Sequence, residues 1–460
     1  MNMTILNLLY LLAAVLFILA FKMLSTPRRA IFGNLIGSMG MFIAVVATVL
    51  YYGFANIATV LSGIVVGGFI GALMALKVPM TSMPQMVAIL NGLGGGASMM
   101  VSGISLIESI EIARTDLSTD YIASVIAGGI IGAVTLSGSL VATAKLQWHR
   151  IERPVMFKGI HILTAALLTL SVGLGILIPY TKSVNTFWLM SAVALALGVF
   201  LVLPIGGADM PVVISLLNSY SGLAAAATGF VLRNSMLIIA GSLVGTSGII
   251  LTNLMCKAMN RSFINVLLGG FGSKVIESQD IYQGRIKRAS AEDVAELLRS
   301  ARKVVIVPGY GMAVAQAHYP LKELVGILES RGIEVDFAIH PVAGRMPGHM
   351  NVLLAEVGIP YEKMKGLDEI NPAMEQVDVA IVVGANDVVN PYAETDPKSP
   401  IYGMPIIQVY KARTVVVIKR SLASGFAGIP NPLFTYDNTL MYFEDARKAI
   451  LDIIAELKSG

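Results

Sequence analysis

Several short stretches hold the residue types that could grip a phosphorylated ligand. Pro308-Gly309-Tyr310-Gly311-Met312-Ala313-Val314 follows an apolar run and has the spacing Gly-x-Gly-x-x-(small), with Val314 in the last place. In dinucleotide-binding folds the first glycine makes the turn and the second lets the backbone approach a pyrophosphate. A plain strand-to-helix turn would look the same. Lys419-Arg420-Ser421 sets two cations and a hydroxyl directly after another apolar run, which suits a phosphate dianion or, equally, a solvated basic turn. Gly384-Ala385-Asn386-Asp387 adds polar groups after a third run. Between His340 and His349, Gly344-Arg345-Met346 carries a cation and no acid. A ribose 2′-hydroxyl asks for Asp or Glu at such a place, whereas a 2′-phosphate asks for Arg or Lys. Gly425-Phe426-Ala427-Gly428 has the small residues of a lid. These groups bind and orient a ligand, and none makes an acid–base or nucleophile pair. The single cysteine, Cys256, excludes a Cys-based metal cluster, and no metal is expected.

A second set of polar residues lies among apolar runs. Asn91 opens the stretch Gly92 to Gly96, whose glycines would leave room for water. Asp209 precedes the run that contains Asn218, and His161 begins another. An ionisable group at membrane depth costs a few kcal/mol and usually marks an ion pathway. Asp209 reads equally well as a helix cap at the interface.

The elements that must position these groups fall into two classes. Residues 1–261 hold 13 Lys+Arg and 6 Asp+Glu, against 20 and 23 in residues 262–460. The net charge of +4 is therefore +7 on the first part and −3 on the second. A wholly soluble chain and a disordered one are excluded. So is a nucleic-acid patch, because the basic excess is thinly scattered. Apolar runs of about 20 residues, enough to cross a bilayer, recur at 5–24, 31–52, 56–76, 84–107, 119–144, 159–179, 185–205, 211–232 and 234–256. Alternate connections carry Lys22, Arg28, Arg29, Lys77, Lys145, Arg150, Arg153, Lys158, Lys257 and Arg261. The others carry Arg114, Lys182 and Arg233, beside the acidic Glu108, Glu111, Asp116 and Asp120. The positive-inside rule makes the basic side cytoplasmic and the N-terminus external. Beyond 262–289, a linker with Gly269-Gly270-Phe271-Gly272, strand-like and helix-like patterns alternate. Strands are expected at Lys303–Val307, Val335–Ile339, Val377–Val383, Ile406–Val409 and Thr414–Ile418, and helices at Val314–Arg331, His349–Val357 and Phe443–Leu457. The expected fold is a bundle of about nine transmembrane helices (1–261), then an α/β Rossmann-like, doubly wound parallel-sheet domain (290–460).

Six collinear stretches, Asp209–Gly222, Met255–Ser262, Val307–Gln316, His340–Asn351, Gly384–Asp387 and Lys419–Ser421, extend the reading. On them the chain resembles the β subunit of proton-translocating nicotinamide nucleotide transhydrogenases over essentially its whole length. The resemblance implies hydride transfer between NAD(H) and NADP(H) coupled to proton movement, normally favouring NADPH. It implies that the C-terminal domain binds NADP(H) through Gly309, Tyr310, Gly311, Ala313 and Val314, Gly344, Arg345 and Met346, with Lys419, Arg420 and Ser421 on the 2′-phosphate. Gly384, Asn386 and Asp387 would lie near the nicotinamide, Gly425, Phe426, Ala427 and Gly428 would form the lid, and Asp437 and Asn438 would also contribute. Asp387, Asp209, Asn91 and Asn218 become coupling candidates. NAD(H) would bind a partner α subunit, in a dimer of α–β units in a bacterial inner membrane, with the N-terminus periplasmic. Two departures stand out: relatives often have His at Asn91 and Tyr at Phe426. On the residues alone, a nucleotide-gated transporter remains an alternative; a quinone-linked oxidoreductase lacks haem or iron–sulfur ligands.

Overall fold

The computed structural model describes the chain except residues 1, 25–28, 53–56, 113–117, 149–153, 268–281, 283–285 and 460, and the side chains of 52, 57, 208 and 267. Arg28, Arg114, Asp116, Arg150, Arg153 and the Gly269-Gly270-Phe271-Gly272 run thus lie outside the described residues. The chain divides into two compact units, one of residues up to Trp148 with Val155–Pro204 and Val213–Leu251, the other of His149–Pro154, Ile205–Val212 and Thr252 onward.

Among the described residues, nine helices are long and apolar enough to cross a membrane. They are α1 (Met3–Leu24), α2 (Ala30–Tyr52), α3 (Ile57–Lys77), α4 (Met83–Ile107), α5 (Thr119–Gln147), α6 (Ile160–Thr181), α7 (Val184–Val202), α8 (Met210–Val231) and α9 (Ser235–Ala258). Each falls on one of the nine apolar runs. Small residues let helix backbones approach in lipid, and they do so here. A Cβ on Gly95 would stand 2.8 Å from the Gly132 carbonyl oxygen, so α4 and α5 cross backbone to backbone. Gly222 and Gly241 pack in the same way across α8 and α9. The glycines after Asn91 follow this rule and do not hold water space: Gly92 abuts Ser139, Gly94 abuts Ser221 and Gly96 abuts Leu136.

The second unit is built on seven parallel strands, β1 (Lys287–Arg288), β2 (Lys303–Pro308), β3 (Glu334–Ala338), β4 (Met364–Lys365), β5 (Val379–Val383), β6 (Thr414–Ile418) and β7 (Thr439–Tyr442). Their order is β1-β7-β6-β5-β2-β3-β4. The central strands are runs of Val and Ile, fully buried as a sheet covered on both faces requires. Val305, Val307, Ala380, Val382, Val415 and Val417 point to one face, onto Met374, Val409, Leu433, Phe434 and Tyr282. Alternate positions point the other way. The helices Ala291–Ser300, His318–Ser330 and Ala446–Ser459 pack together.

The strands β4 and β7 and the helix Ala291–Ser300 are absent from the sequence expectation, and the closing helix begins at Ala446 and not Phe443. Three further details differ. The helix expected over Val314–Arg331 is two, Tyr310–Val314 and His318–Ser330, because Gln316 takes φ 51° between them. Ile406–Val409 is no strand. The Ile406 carbonyl accepts from the Asn371 side chain, and Ile407 N–H donates to Val388 O, so a side chain and a loop replace the ladder. The sheet also starts inside the expected linker, at β1.

Candidate functional site

The chain runs β2–β3–β4 in one direction and then returns to β5 on the other side of β2. In open α/β sheets such a switch point opens a crevice at the carboxyl ends of the two strands, where ligands bind. Here β2 runs into Gly309 and β5 into Gly384. Gly309 N–H donates to Val383 O and Gly311 N–H to Gly384 O, both at 2.9 Å. A Cβ on Gly309 would meet Ala385 N at 2.5 Å, and one on Gly311 would meet Gly384 Cα at 2.8 Å. Gly384 has φ +64°. The glycine spacing therefore serves the interlock of two strand-end turns. Gly311 N–H is engaged there, and the helix it opens has only five residues.

Above this interlock lies a cavity of about 460 Å³, within the range of small-molecule sites. It gathers Gly309, Tyr310, Gly311 and Val314 from the first turn and Gly344 and Arg345 from the loop after β3. Gly384, Asn386 and Asp387 follow β5, and Lys419, Arg420 and Ser421 follow β6, with Gly425, Phe426 and Ala427 beyond them. Of the residues expected at the ligand, Ala313, Met346 and Gly428 sit in the same loops without lining it. Asp437 and Asn438 lie at the opposite edge, before β7. There Asn438 Nδ2 donates to the Tyr410 and Ala412 carbonyls at 3.0 and 2.8 Å, and Lys287 Nζ reaches Asp437. Glu444, Asp445 and Ala446 line the cavity unforeseen. The end of β7, a four-residue strand too short to register in the sequence, brings them to this edge.

The wall is held by specific contacts. The Arg345 guanidinium lies 4.4 Å over the Tyr310 ring, and Tyr310 meets Phe426 at 5.8 Å between centroids. Arg345 N–H donates to His349 Nδ1 at 3.0 Å, fixing a loop in which Gly344 and Gly348 take φ +107° and +70°. His340 Nε2 pairs with Pro405 O at 2.6 Å while its Nδ1 accepts from Val342 N–H, so the buried ring is neutral; burial pulls its pKa down to about 4. Asp387 Oδ2 accepts from Ala427 N–H at 3.0 Å, tying the Gly425–Gly428 loop to the turn after β5. Its Oδ1 and the Asn386 Nδ2 are buried without a hydrogen-bond partner among the described residues. Burial raises the Asp387 pKa against the pull of that N–H and of Lys419. Burial likewise pushes Lys419 down to about 8, with Asp387 opposing.

The coupling candidates from the apolar half lie elsewhere. Asn91 is buried on α4, its Nδ2 3.5 Å from Ile214 O on α8, and Asn218 is half-buried on α8. Asp209 is fully buried, and both its oxygens accept from Arg261 Nη1, at 2.9 and 3.0 Å. His161 is exposed at the start of α6.

Comparison with known proteins gives one consistent result. The sequence profile described as "NAD(P) transhydrogenase beta subunit" matches residues 6–456. Two sequences from Rhodospirillum rubrum, one of them from a designated strain, are each described as "NAD(P) transhydrogenase subunit beta". Each is 49% identical to this chain over 451 residues, which cover 97% of both sequences.

Proposed function

The chain belongs to the family of NAD(P) transhydrogenase beta subunits, and we propose that its second unit binds NADP(H) while its membrane helices carry protons. The observation that carries this reading is the cavity at the switch point, with Lys419, Arg420 and Ser421 at the end of β6 and no acid in the loop after β3. The residues fit the cofactor. Lys419, Arg420 and Ser421 would hold the 2′-phosphate, and Tyr310 and Arg345 the remaining phosphates. Asn386 Nδ2 and Asp387 Oδ1, orphaned in a buried wall, would face the carboxamide of the nicotinamide. The bound nicotinamide supplies hydride chemistry; the chain orients it and needs no acid or base. NAD(H) would come on a partner α subunit, in a dimer of α–β units of a bacterial inner membrane, the nucleotide domain cytoplasmic and the N-terminus periplasmic. Asp387, Asp209, Asn91 and Asn218 are the groups we assign to coupling. One proton crossing a force of about 150 mV releases roughly 3.5 kcal/mol, which shifts hydride exchange toward NADPH about a few hundred-fold.

The test is made on membranes carrying this chain with its partner subunit. A proton gradient should accelerate NADP⁺ reduction by NADH, and an uncoupler should remove the acceleration. Absence of any hydride exchange would favour a nucleotide-gated transporter instead.

The cationic corner carries its own pH signature. Burial holds Lys419 near 8, and an arriving phosphate raises its pKa. Binding then takes up a proton only above that value. NADP(H) affinity should be flat between pH 7 and 8, then fall by up to about tenfold per unit as pH rises further. Lys419→Arg should abolish that fall, because a guanidinium keeps its charge. A flat titration of the unmutated chain to pH 9.5 would remove Lys419 from the phosphate.

A further inference from the structure

Tyr282 lies in sequence between the last membrane helix, which ends at Ala258, and β1, which begins at Lys287. It is an aromatic residue buried in the sheet core, 7% exposed. Its ring stacks on Phe434, with centroids 6.1 Å apart and planes at 25°. Its hydroxyl oxygen accepts the backbone N–H of Asn431 at 2.7 Å. Asn431 is fully buried, and its side chain continues the chain of bonds. Oδ1 accepts from Leu433 N–H at 3.0 Å, which fixes the amide's orientation, and Nδ2 donates to both Asn386 O and Asn386 Oδ1 at 3.1 Å. Asn386 and its neighbour Asp387 line the cavity. A second arm runs through Phe434, over whose ring Lys419 Nζ lies at 5.2 Å. Both routes start at one tyrosine of the connecting segment and end on polar groups of the cavity.

We propose that Tyr282 is a positioning residue that sets the geometry of Asn386 and Asp387. The physical reason is that the Asn431 N–H is buried and has the tyrosine oxygen as its acceptor. Any shift of Tyr282 that withdraws the hydroxyl leaves a buried donor unpaired, which the loop must relieve by moving. Because the Asn431 side chain grips both the carbonyl and the amide of Asn386, that movement is delivered to the cavity floor. The hydroxyl route ends on Asn386 and bypasses Arg420 and Ser421, while the ring arm to Lys419 depends on stacking alone. Loss of the hydroxyl therefore acts at the nicotinamide end. The inference rests on the reading that this cavity takes NADP(H).

The experiment uses the full-length chain in detergent, with NADPH as probe and release followed by its fluorescence. Tyr282→Phe keeps the ring and its stacking on Phe434, so it removes only the acceptor. It should weaken NADPH binding about tenfold, equivalent to 1.4 kcal/mol, through faster release. In an Asn386→Ala background the same substitution should change affinity less than about twofold, because the relay's last member is gone. A tyrosine that served only the core would lower thermal stability in both backgrounds and leave NADPH release unchanged. Unaltered release in Tyr282→Phe, or equal losses in the two backgrounds, would overturn the proposal. If the unmutated chain binds no NADPH, the reading of the cavity falls, and the relay with it.

Discussion

Alanine in place of Arg420 should cut the preference of the full chain for NADP(H) over NAD(H) by about ten- to a hundredfold while leaving its fold intact. Arg420 is exposed at the carboxyl end of β6 and lines the cavity, so its loss opens no void in the core. A hydrogen bond to a charged group is worth about 1.5–3 kcal/mol, and a bidentate guanidinium–phosphate pair lies at the upper end of that range. The two cofactors differ only by the 2′-phosphate, so the loss should appear in NADP(H) affinity and spare that for NAD(H). Arg420→Lys should keep part of the preference, since it retains charge without the planar fork. Calorimetry with both cofactors on the unmutated and substituted chains decides the matter. Equal affinities in the unmutated chain would mean that the corner at Lys419–Ser421 does not read the phosphate.

How far these groups could be placed from the sequence depended on the length of the element that carries them. The nine apolar runs and the β-branched runs of β2, β3, β5 and β6 each announce themselves, because a long buried segment must be apolar throughout. The turns that follow β2, β5 and β6 were therefore set at one sheet edge by strand direction alone. The short strands gave no such signal. β1 and β4 have two residues each and β7 has four, too few for periodicity to register. With β7 unseen, Glu444 and Asp445 could not be assigned to the cavity, nor Asp437 and Asn438 to the far edge. Ile406–Val409 misled in the opposite sense: Ile406, Ile407 and Val409 are apolar because they are buried in the domain core, not because they pair. The glycines were legible as requirements but not as causes. Gly92 and Gly311 read as space for water and for a phosphate, yet each is filled by a neighbouring element of the same chain.

That distinction yields a large structural effect expected from one methyl group. Alanine at Gly309 would place its Cβ against Ala385 Cα and the Gly384 carbonyl oxygen, and 2.5 Å from Ala385 N. All three are backbone atoms, so no side chain can rotate away. The β2 and β5 ends are in turn locked by Gly309 N–H to Val383 O and Gly311 N–H to Gly384 O. The two turns must therefore separate, which breaks the ladder's last bonds and widens the cavity floor at Asn386. Overpacking typically costs about 1–3 kcal/mol, and a rigid backbone neighbour places this site at the top of that range. For a domain of this size each kcal/mol lowers the melting temperature by about 2–4 °C, so Gly309→Ala should melt roughly 6–12 °C lower. NADP(H) binding should weaken at least about tenfold. Gly326 is the matched control: it sits in the helix His318–Ser330, exposed, with nothing within 4 Å of its added Cβ. There the same substitution removes only the entropy of a helical glycine and should stabilise by about 0.5–1 kcal/mol, leaving cofactor binding unchanged. Calorimetric melting of the three full-length proteins, with and without NADPH, separates the cases. Equal shifts at the two glycines would show that the interlock of the β2 and β5 turns does not hold the cavity together.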